Sequence, residues 1–216
     1  MRKLVILDMD GLMLDTEQLY FQAFSQACAR HGLEARRSIF LQTVGTDDEY
    51  ERAFYSAAFP QLPPGLFFEE FQAQCARQLD PRRCDVKPGL FELFRAIEQR
   101  GRYRKAVVTA NYKTVALPLL VQTGIMPHLD GGVYREMVSR GKPAPDAHLL
   151  CCQMFSVAPE EALVLEDSET GLRAALAAGI PTIAVPDLLE PFADTLSRCL
   201  ARCETLLDVI PYLDKE

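Results

Sequence analysis

A short apolar run, Leu4 to Leu7, stops on Asp8, and a second acid follows at Asp10, directly before Gly11. Four consecutive apolar residues are too few for a helix standing alone. With no polar alternation they read as a parallel strand, buried on both faces. An acid closing such a strand stands where open α/β sheets bind ligands, outside the carboxyl ends of the strands. Two carboxylates placed there repel each other, so the pair makes sense when a cation lies between them or when one keeps a proton. Gly11 lets the chain turn sharply straight afterwards.

The same pattern recurs downstream. Ala106-Val107-Val108 runs into Thr109, Leu163-Val164-Leu165 into Glu166 and Asp167, and Thr182 to Val185 into Pro186; Gly131 to Tyr134 is a weaker example. Between these runs the apolar spacing is helical, over Leu90 to Gln99, Thr114 to Thr123, Ala147 to Phe155 and Gly171 to Ala178. Pro88-Gly89 precedes the first of these and Gly101 follows it, while Gly179 closes the last, as expected at a helix C-terminus. Strands alternating with helices imply βαβ units: an α/β fold with a doubly wound, Rossmann-like parallel sheet.

One segment breaks the alternation. From Thr16 to about Cys84 the pattern is helical only, over Glu17 to His31, Asp47 to Phe59 and Leu66 to Leu79. Gly32, Gly45 and Leu62-Pro63-Pro64-Gly65 punctuate it. Its aromatics, Phe21, Phe24, Phe54, Tyr55, Phe67, Phe68 and Phe71, have the spacing of a helix-packing core. The stretch is too long for a loop between two strands. It reads as an inserted helical cap domain, residues 16–84, with tethers at Gly11 to Asp15 and Pro81 to Lys87. Residues 1–15 and 85–216 form the α/β core. At 216 residues, 49% of them hydrophobic, the chain can bury a core domain with a smaller insert.

The formal net charge is -7 with no basic block, which argues against nucleic acid or an anionic membrane as partner. No apolar run has membrane-spanning length, and the Met1-Arg-Lys start leaves no room for a secretory signal before the first strand. A cytoplasmic protein, monomeric or weakly dimeric, is expected. The seven cysteines are scattered without Cys-x-x-Cys spacing, and Cys199 and Cys203 lie one helical turn apart. They read as reduced thiols, several of them in the core. His31, His128 and His148 have no triad-like neighbour and read as structural or surface residues. No Gly-x-Gly-x-x-Gly follows the first strand, which disfavours a dinucleotide site.

Four positions then stand at or beyond strand ends: Asp8 with Asp10, Thr109, Lys142, and Glu166 with Asp167. Singly, Thr109 is a strand-end threonine, Lys142 a solvated lysine, and Glu166-Asp167 a pair of helix-capping acids. Jointly they suit phosphoryl transfer. A carboxylate can serve as nucleophile, and a divalent ion on oxygen ligands can screen it from the phosphate charge. A hydroxyl and a lysine can hold the phosphoryl oxygens as charge shifts. Ser168 reads equally as a helix cap and as support for the metal site.

The run Asp8-Met9-Asp10-Gly11-Leu12-Met13-Leu14-Asp15-Thr16 resembles the opening motif of the haloacid dehalogenase-like phosphohydrolase superfamily, Asp-x-Asp-Gly-x-x-x-Asp-Thr. Val107-Val108-Thr109-Ala110-Asn111 resembles its second motif, Gly141-Lys142-Pro143-Ala144-Pro145-Asp146 its third, and Leu165 to Gly171 its fourth, all in order. The resemblance implies Asp8 as nucleophile and Asp10 as general acid/base. It implies Thr109, Ala110, Asn111 and Lys142 as phosphate-binding residues. Asp8, Asp10 through its carbonyl, Glu166 and Asp167 would bind Mg2+.

Asp10 supplies the proton that an ester leaving group needs, which favours phosphoryl transfer over carbon–halogen cleavage. The Glu166-Asp167 pair and the helical insert resemble the β-phosphoglucomutase, small-sugar phosphatase and pseudouridine-5′-phosphatase branch. In a mutase of that type the first cap helix carries a histidine near the position of Tyr20, and the specificity loop carries basic residues. Here that loop reads Thr43-Val44-Gly45-Thr46-Asp47-Asp48. The resemblance therefore implies a Mg2+-dependent phosphatase acting on a small phosphorylated metabolite, a sugar phosphate or nucleotide-like monoester, through an aspartyl phosphate. A phosphomutase and a non-catalytic regulatory protein on the same fold are the alternatives. The latter predicts damage at Asp8, Asp10, Thr109, Lys142 or Asp167, and all are intact. Candidate cap contacts to the leaving group are Glu17, Tyr20, Gly45 and Thr46, with Tyr20 equally suited to cap packing.

Overall fold

The computed structural model describes residues 2–46, 48–78 and 81–214. The chain runs β1 (Leu4–Leu7), β2 (Leu14–Asp15), α1 (Glu17–Arg30), α2 (Arg37–Phe40), α3 (Asp48–Ala58), α4 (Leu66–Gln78), β3 (Asp85–Val86) and α5 (Leu90–Gln99). It continues through β4 (Arg104–Val108), α6 (Lys113–Gln122), β5 (Gly131–Val133), α7 (Asp146–Phe155), β6 (Ala162–Glu166), α8 (Glu169–Ala177), β7 (Thr182–Ala184), α9 (Ala193–Leu196) and β8 (Ala201–Arg202). Each helix expected from the apolar spacing is present, with ends displaced by at most two residues. Asp47 and Leu79, where two of those helices were expected to begin and end, lie outside the described residues. The α-helices and strands not anticipated, α2, α9, β2, β3 and β8, have two to four residues each, too few to carry a period. The 3-10 segment Leu206–Asp214, nine residues with Pro211 inside, was not anticipated either.

The chain divides into two compact units. One comprises Met1–Asp15 with Asp85–Glu216, and the other Thr16–Cys84. In the first, six strands form one sheet in the order β5-β4-β1-β6-β7-β8, and every pairing is parallel. Counting only these strands, the order is that of the Rossmann-type doubly wound sheet, with β1 at the point where the winding reverses. Such sheets place their crevice at the carboxyl ends of the strands flanking that point.

Leu4 to Leu7 are fully buried, as a central strand covered on both faces requires. Leu4 and Ile6 pack with Ala147, Cys151 and Phe155 of α7, and period-2 alternation sends Val5 and Leu7 to the opposite face. Helix α5 buries Leu90, Leu93, Phe94 and Ile97, one amphipathic stripe. It packs on the 3-10 segment Leu206–Asp214, whose Leu206, Val209 and Leu213 are buried. The short strands β2 and β3 pair antiparallel, Leu14 with Val86 and Asp15 with Asp85, so the two chain segments that leave and re-enter this unit are zipped together.

The second unit packs α1 against α4 around an aromatic centre. The Phe24 ring contacts those of Phe21, Phe40, Tyr55, Phe59, Phe67 and Phe71, and the Phe59 and Phe67 centroids are 4.3 Å apart. The Tyr55 hydroxyl is shared with Thr43 Oγ1 at 2.8 Å, which satisfies the one polar atom that Tyr55 brings inside.

All seven cysteines are free thiols. Burial pushes Cys28 up to about 11 and Cys151 up to about 12, so neither offers a thiolate near neutrality. Cys199 and Cys203 share no helix, because β8 lies between them.

Candidate active site

The register of the sheet assembles the site. Leu7 pairs with Leu165 of β6 and Val107 of β4, so one residue further Asp8 stands beside Glu166, with Thr109 just beyond β4. The Asp8 amide donates to Leu165 O at 3.1 Å and the Thr109 amide to Val133 O at 3.2 Å, which extends both ladders past the last paired residue. Asp8, Thr109, Glu166 and Asp167 are buried, at 8%, 3%, 0% and 8% exposure.

Lys142 lies on the segment that follows β5 and reaches across to this cluster. Its Nζ donates to Asp8 Oδ1 at 2.5 Å and to Glu166 Oε2 at 2.6 Å. The other Glu166 oxygen, Oε1, accepts from the Asp167 and Ser168 amides, both at 3.1 Å, and from Ser168 Oγ at 2.9 Å. Ser168 Oγ in turn accepts from the Gly171 amide at 3.2 Å, so one hydroxyl caps α8 and braces Glu166 together.

Two glycines make room for these carboxyl groups. A Cβ at Gly11, whose φ is +74°, would collide with the Asp167 carboxylate. A Cβ at Gly171 would collide with the carboxyl carbon and both oxygens of Glu166. Gly171→Ala is therefore expected to lower turnover about 100-fold, the scale of an ångström-sized misplacement of a catalytic group. At Gly179 a Cβ meets nothing within 4 Å, so Gly179→Ala is the control and should leave turnover near wild type. Gly179 has a φ of +73°, so an alanine there carries backbone strain without a collision. Steady-state kinetics on the two variants check this, and equal losses would show that the collision with Glu166 is not what lowers turnover.

Oxygen atoms of Asp8, Glu166 and Asp167 lie within 4.8 Å of one another. Among the described residues Lys142 is the one cation bonded to this group, and three carboxylates and one ammonium sum to -2 if all are ionised. Burial holds Asp8 well above the carboxylate range, and Glu166 and Asp10 add to the rise while Lys142 opposes it. Asp167 is raised likewise, by burial and then by Glu166 and Asp8. Burial also disfavours a charged Glu166, but Lys142 and the Ser168 contacts outweigh it and hold Glu166 below its ordinary value. The Lys142 ammonium is raised despite burial, because Asp8 and Glu166 both favour the charged form.

Asp167 Oδ1 is buried and accepts no hydrogen bond from the described residues. An orphaned carboxylate oxygen beside two further acids, with no sulfur or imidazole in the set, fits a hard, oxygen-seeking divalent cation such as Mg2+. Asp10 lies outside this three-acid group, and its Oδ2 accepts from Asn111 Nδ2 at 2.5 Å. The Asn111 amide donates to Thr109 Oγ1 at 3.0 Å, while Ala110 between them is exposed. Sequence reasoning did not anticipate that Asn111 side-chain contact. No local pattern signals it, because it joins positions 101 residues apart.

The candidate substrate residues of the insert sit in the second unit. Glu17 and Tyr20 lie half-buried on the first turns of α1, and Gly45 and Thr46 lie in the turn before α3. Thr46 Oγ1 donates to Thr43 O at 2.8 Å. The histidines serve the scaffold. Burial, and then the Lys142 charge, pushes His148 down to about 3, so it is a neutral core imidazole. His128 stacks on Phe94 at 5.2 Å, and His31 ends α1.

The model of the haloacid dehalogenase-like hydrolase family matches residues 5–185. A fructose-1-phosphate phosphatase of Escherichia coli K12 is 31% identical over 184 residues, 84% of this chain and 95% of the relative. A phosphorylated carbohydrates phosphatase of Thermotoga maritima is 27% identical over 179 residues, 83% of this chain and 82% of the relative. Among solved structures, CbbY from Rhodobacter sphaeroides in complex with phosphate superposes with a TM-score of 0.76 at 25% identity, covering 97% of this chain and 96% of that one. No helix among the described residues is long and apolar enough to cross a membrane. With its family model spanning the sheet from β1 to β7, and phosphatases among its relatives, the chain belongs to the haloacid dehalogenase-like hydrolases and is an enzyme of their phosphoric monoester hydrolase kind.

Proposed function

We propose that the enzyme is a Mg2+-dependent phosphatase that hydrolyses a small phosphorylated sugar or nucleotide-like monoester through an aspartyl phosphate on Asp8. The observation that carries this reading is the Asp8 carboxylate at the winding switch of the sheet, held by Lys142 and flanked by Glu166 and Asp167. Phosphatases of sugar phosphates among the relatives support the substrate class.

The Asp8 carboxylate attacks phosphorus as the ester P–O bond breaks, and the leaving oxygen takes a proton from Asp10. In the second half, water attacks the same phosphorus and gives its proton to Asp10. The bond to Asp8 breaks and inorganic phosphate leaves. Lys142 and Thr109 hold phosphoryl oxygens throughout, with the Ala110 and Asn111 segment beside them. Asp8, Asp167, Glu166 and the Asp10 carbonyl would hold Mg2+, which when bound screens the nucleophile from the phosphate charge.

We assign the choice of leaving group to the helical unit as a cap, through Glu17, Tyr20, Gly45 and Thr46. The loop Thr43 to Asp48 has no basic side chain for a second phosphate, which favours hydrolysis of a monophosphate over mutase chemistry.

The test is a panel of phosphate monoesters, p-nitrophenyl phosphate included, with Mg2+ and with excess chelator. Turnover should require the metal, and turnover that survives full chelation would remove Mg2+ from the mechanism. Melting temperature gives a second readout. Asp8 and Asp167 are raised above 3.8 in the fold, so without a cation their contribution to stability is complete below that value and is lost as pH rises through the raised values. Glu166, held below 4.5, is ionised over the whole upper range. Mg2+ should thus raise the melting temperature more at about pH 7.5 than at about pH 5.

A further inference from the structure

We infer that Asn111 is a positioning residue for Asp10: its side-chain amide fixes which Asp10 oxygen carries the catalytic proton. The inference rests on the phosphatase reading above and adds to it a role that the motif resemblance does not contain, since the resemblance makes Asn111 a phosphate contact.

The geometry points to this from both ends of the contact. The backbone of Asn111 is tied down on two sides. Its amide donates to Thr109 Oγ1 at 3.0 Å, and its carbonyl accepts from the Arg135 amide at 3.0 Å. The side chain therefore projects from a fixed base just beyond β4, the strand hydrogen-bonded to β1. Asp10 sits on the turn that leaves β1, a turn held by Gly11 N to Leu14 O at 2.9 Å and Leu14 N to Met9 O at 2.9 Å. Between two anchored segments, Asn111 Nδ2 donates to Asp10 Oδ2 at 2.5 Å.

A carboxylate accepts only, so the amide must present nitrogen to it, and the orientation of Asn111 follows from the chemistry of its partner. When Asp10 is protonated, an Oδ2 that accepts from Asn111 keeps its carbonyl character, and the proton belongs on Oδ1. The same hydrogen bond thus serves both halves of the cycle. Oδ1–H gives its proton to the leaving oxygen as the ester P–O bond breaks. Oδ1 then takes a proton from the water that attacks phosphorus as the bond to Asp8 breaks. Asn111 donates to Oδ2 throughout and neither gains nor loses a proton. A general acid must be held within hydrogen-bond reach of the oxygen it protonates, and Asn111 supplies that restraint.

The test is a double-substitution cycle with Asn111→Ala and Asp10→Asn, each read on p-nitrophenyl phosphate and on the best alkyl phosphate of the panel. p-Nitrophenolate leaves with little need of a proton, whereas an alkoxide needs one. Asn111→Ala should lower kcat/KM for the alkyl phosphate about 10- to 100-fold and for p-nitrophenyl phosphate less than about threefold. In the Asp10→Asn background it should change neither by more than about twofold, since the group it positions is gone. Thermal melting of each variant separates unfolding from misplacement. A variant that melts below the assay temperature is replaced by Asn111→Ser, which keeps a small polar side chain too short to reach Asp10.

Equal losses on both substrates, the same loss with and without Asp10, or a raised inhibition constant for inorganic phosphate in both backgrounds would overturn the positioning role. Each of these would leave Asn111 as a phosphate contact. Wild-type turnover is the control that distinguishes the two readings: without it the phosphatase reading falls and this inference with it. With it, the outcomes just named overturn the inference alone.

Discussion

Asp8→Asn should reduce kcat/KM by about 10,000-fold or more, the scale on which enzymes lose activity when a covalent nucleophile is removed. The amide has nearly the shape of the carboxylate and is not a competent nucleophile. The fold should tolerate it well. Asp8 is a buried acid that Glu166 and Asp10 also push toward neutrality, so a neutral side chain relieves repulsion. Lys142 keeps its second partner, Glu166, at 2.6 Å. The melting temperature without Mg2+ should be unchanged or higher, while the gain from added Mg2+ should shrink because one oxygen ligand has been weakened. Kinetics and calorimetry on one preparation give all three numbers. Near-normal turnover by the verified variant would show that Asp8 is not the nucleophile.

Lys142→Met reverses the balance between stability and activity. It removes the ammonium shared by Asp8 and Glu166, whose side chains are 9% and 1% exposed. Stripping one partner from a buried ionic group costs about 3–5 kcal/mol, because the charges left behind remain desolvated. The variant should therefore melt well below wild type, and Mg2+ should restore part of the loss by supplying positive charge to the same acids. Turnover should fall about 1,000-fold with Mg2+ present, the scale of losing one fixed donor to a developing oxyanion. Asp8→Asn is thus the more damaging change for activity and Lys142→Met for stability. Equal melting temperatures for the two variants would mean that the Lys142 contacts contribute little to the fold.

The parts legible along the chain were those with a local cause. The run Leu4 to Leu7 is apolar on both faces because β1 is buried on both faces, and its continuation into Asp8 marks the strand end. The α5 stripe at Leu90, Leu93, Phe94 and Ile97 is visible as a 3.6-residue period. Asp8, Glu166 and Asp167 could be singled out because strand ends are where a parallel sheet exposes chemistry, whereas Lys142, away from any strand end, was marked by the likeness of Gly141 to Asp146 to the superfamily's third motif. Elements such as β2, β3 and β8 left no trace, since two residues cannot show a period.

What only the tertiary structure decided lies in contacts between distant segments. Strand order depends on which edges pair, and apolar runs alike in composition do not encode that; the sheet places β4 and β6 on either side of β1. Lys142 bonding Asp8 across 134 residues and Glu166 across 24 follows from that order. So does Asn111 on Asp10. The occupied Oε1 of Glu166 and the Oδ1 of Asp167, unpartnered among the described residues, separate two neighbouring acids that the sequence presents alike. Residue type and spacing determine which groups reach the crevice. Hydrogen-bond geometry, set by register and by the glycines at 11 and 171, determines what each of them faces once there.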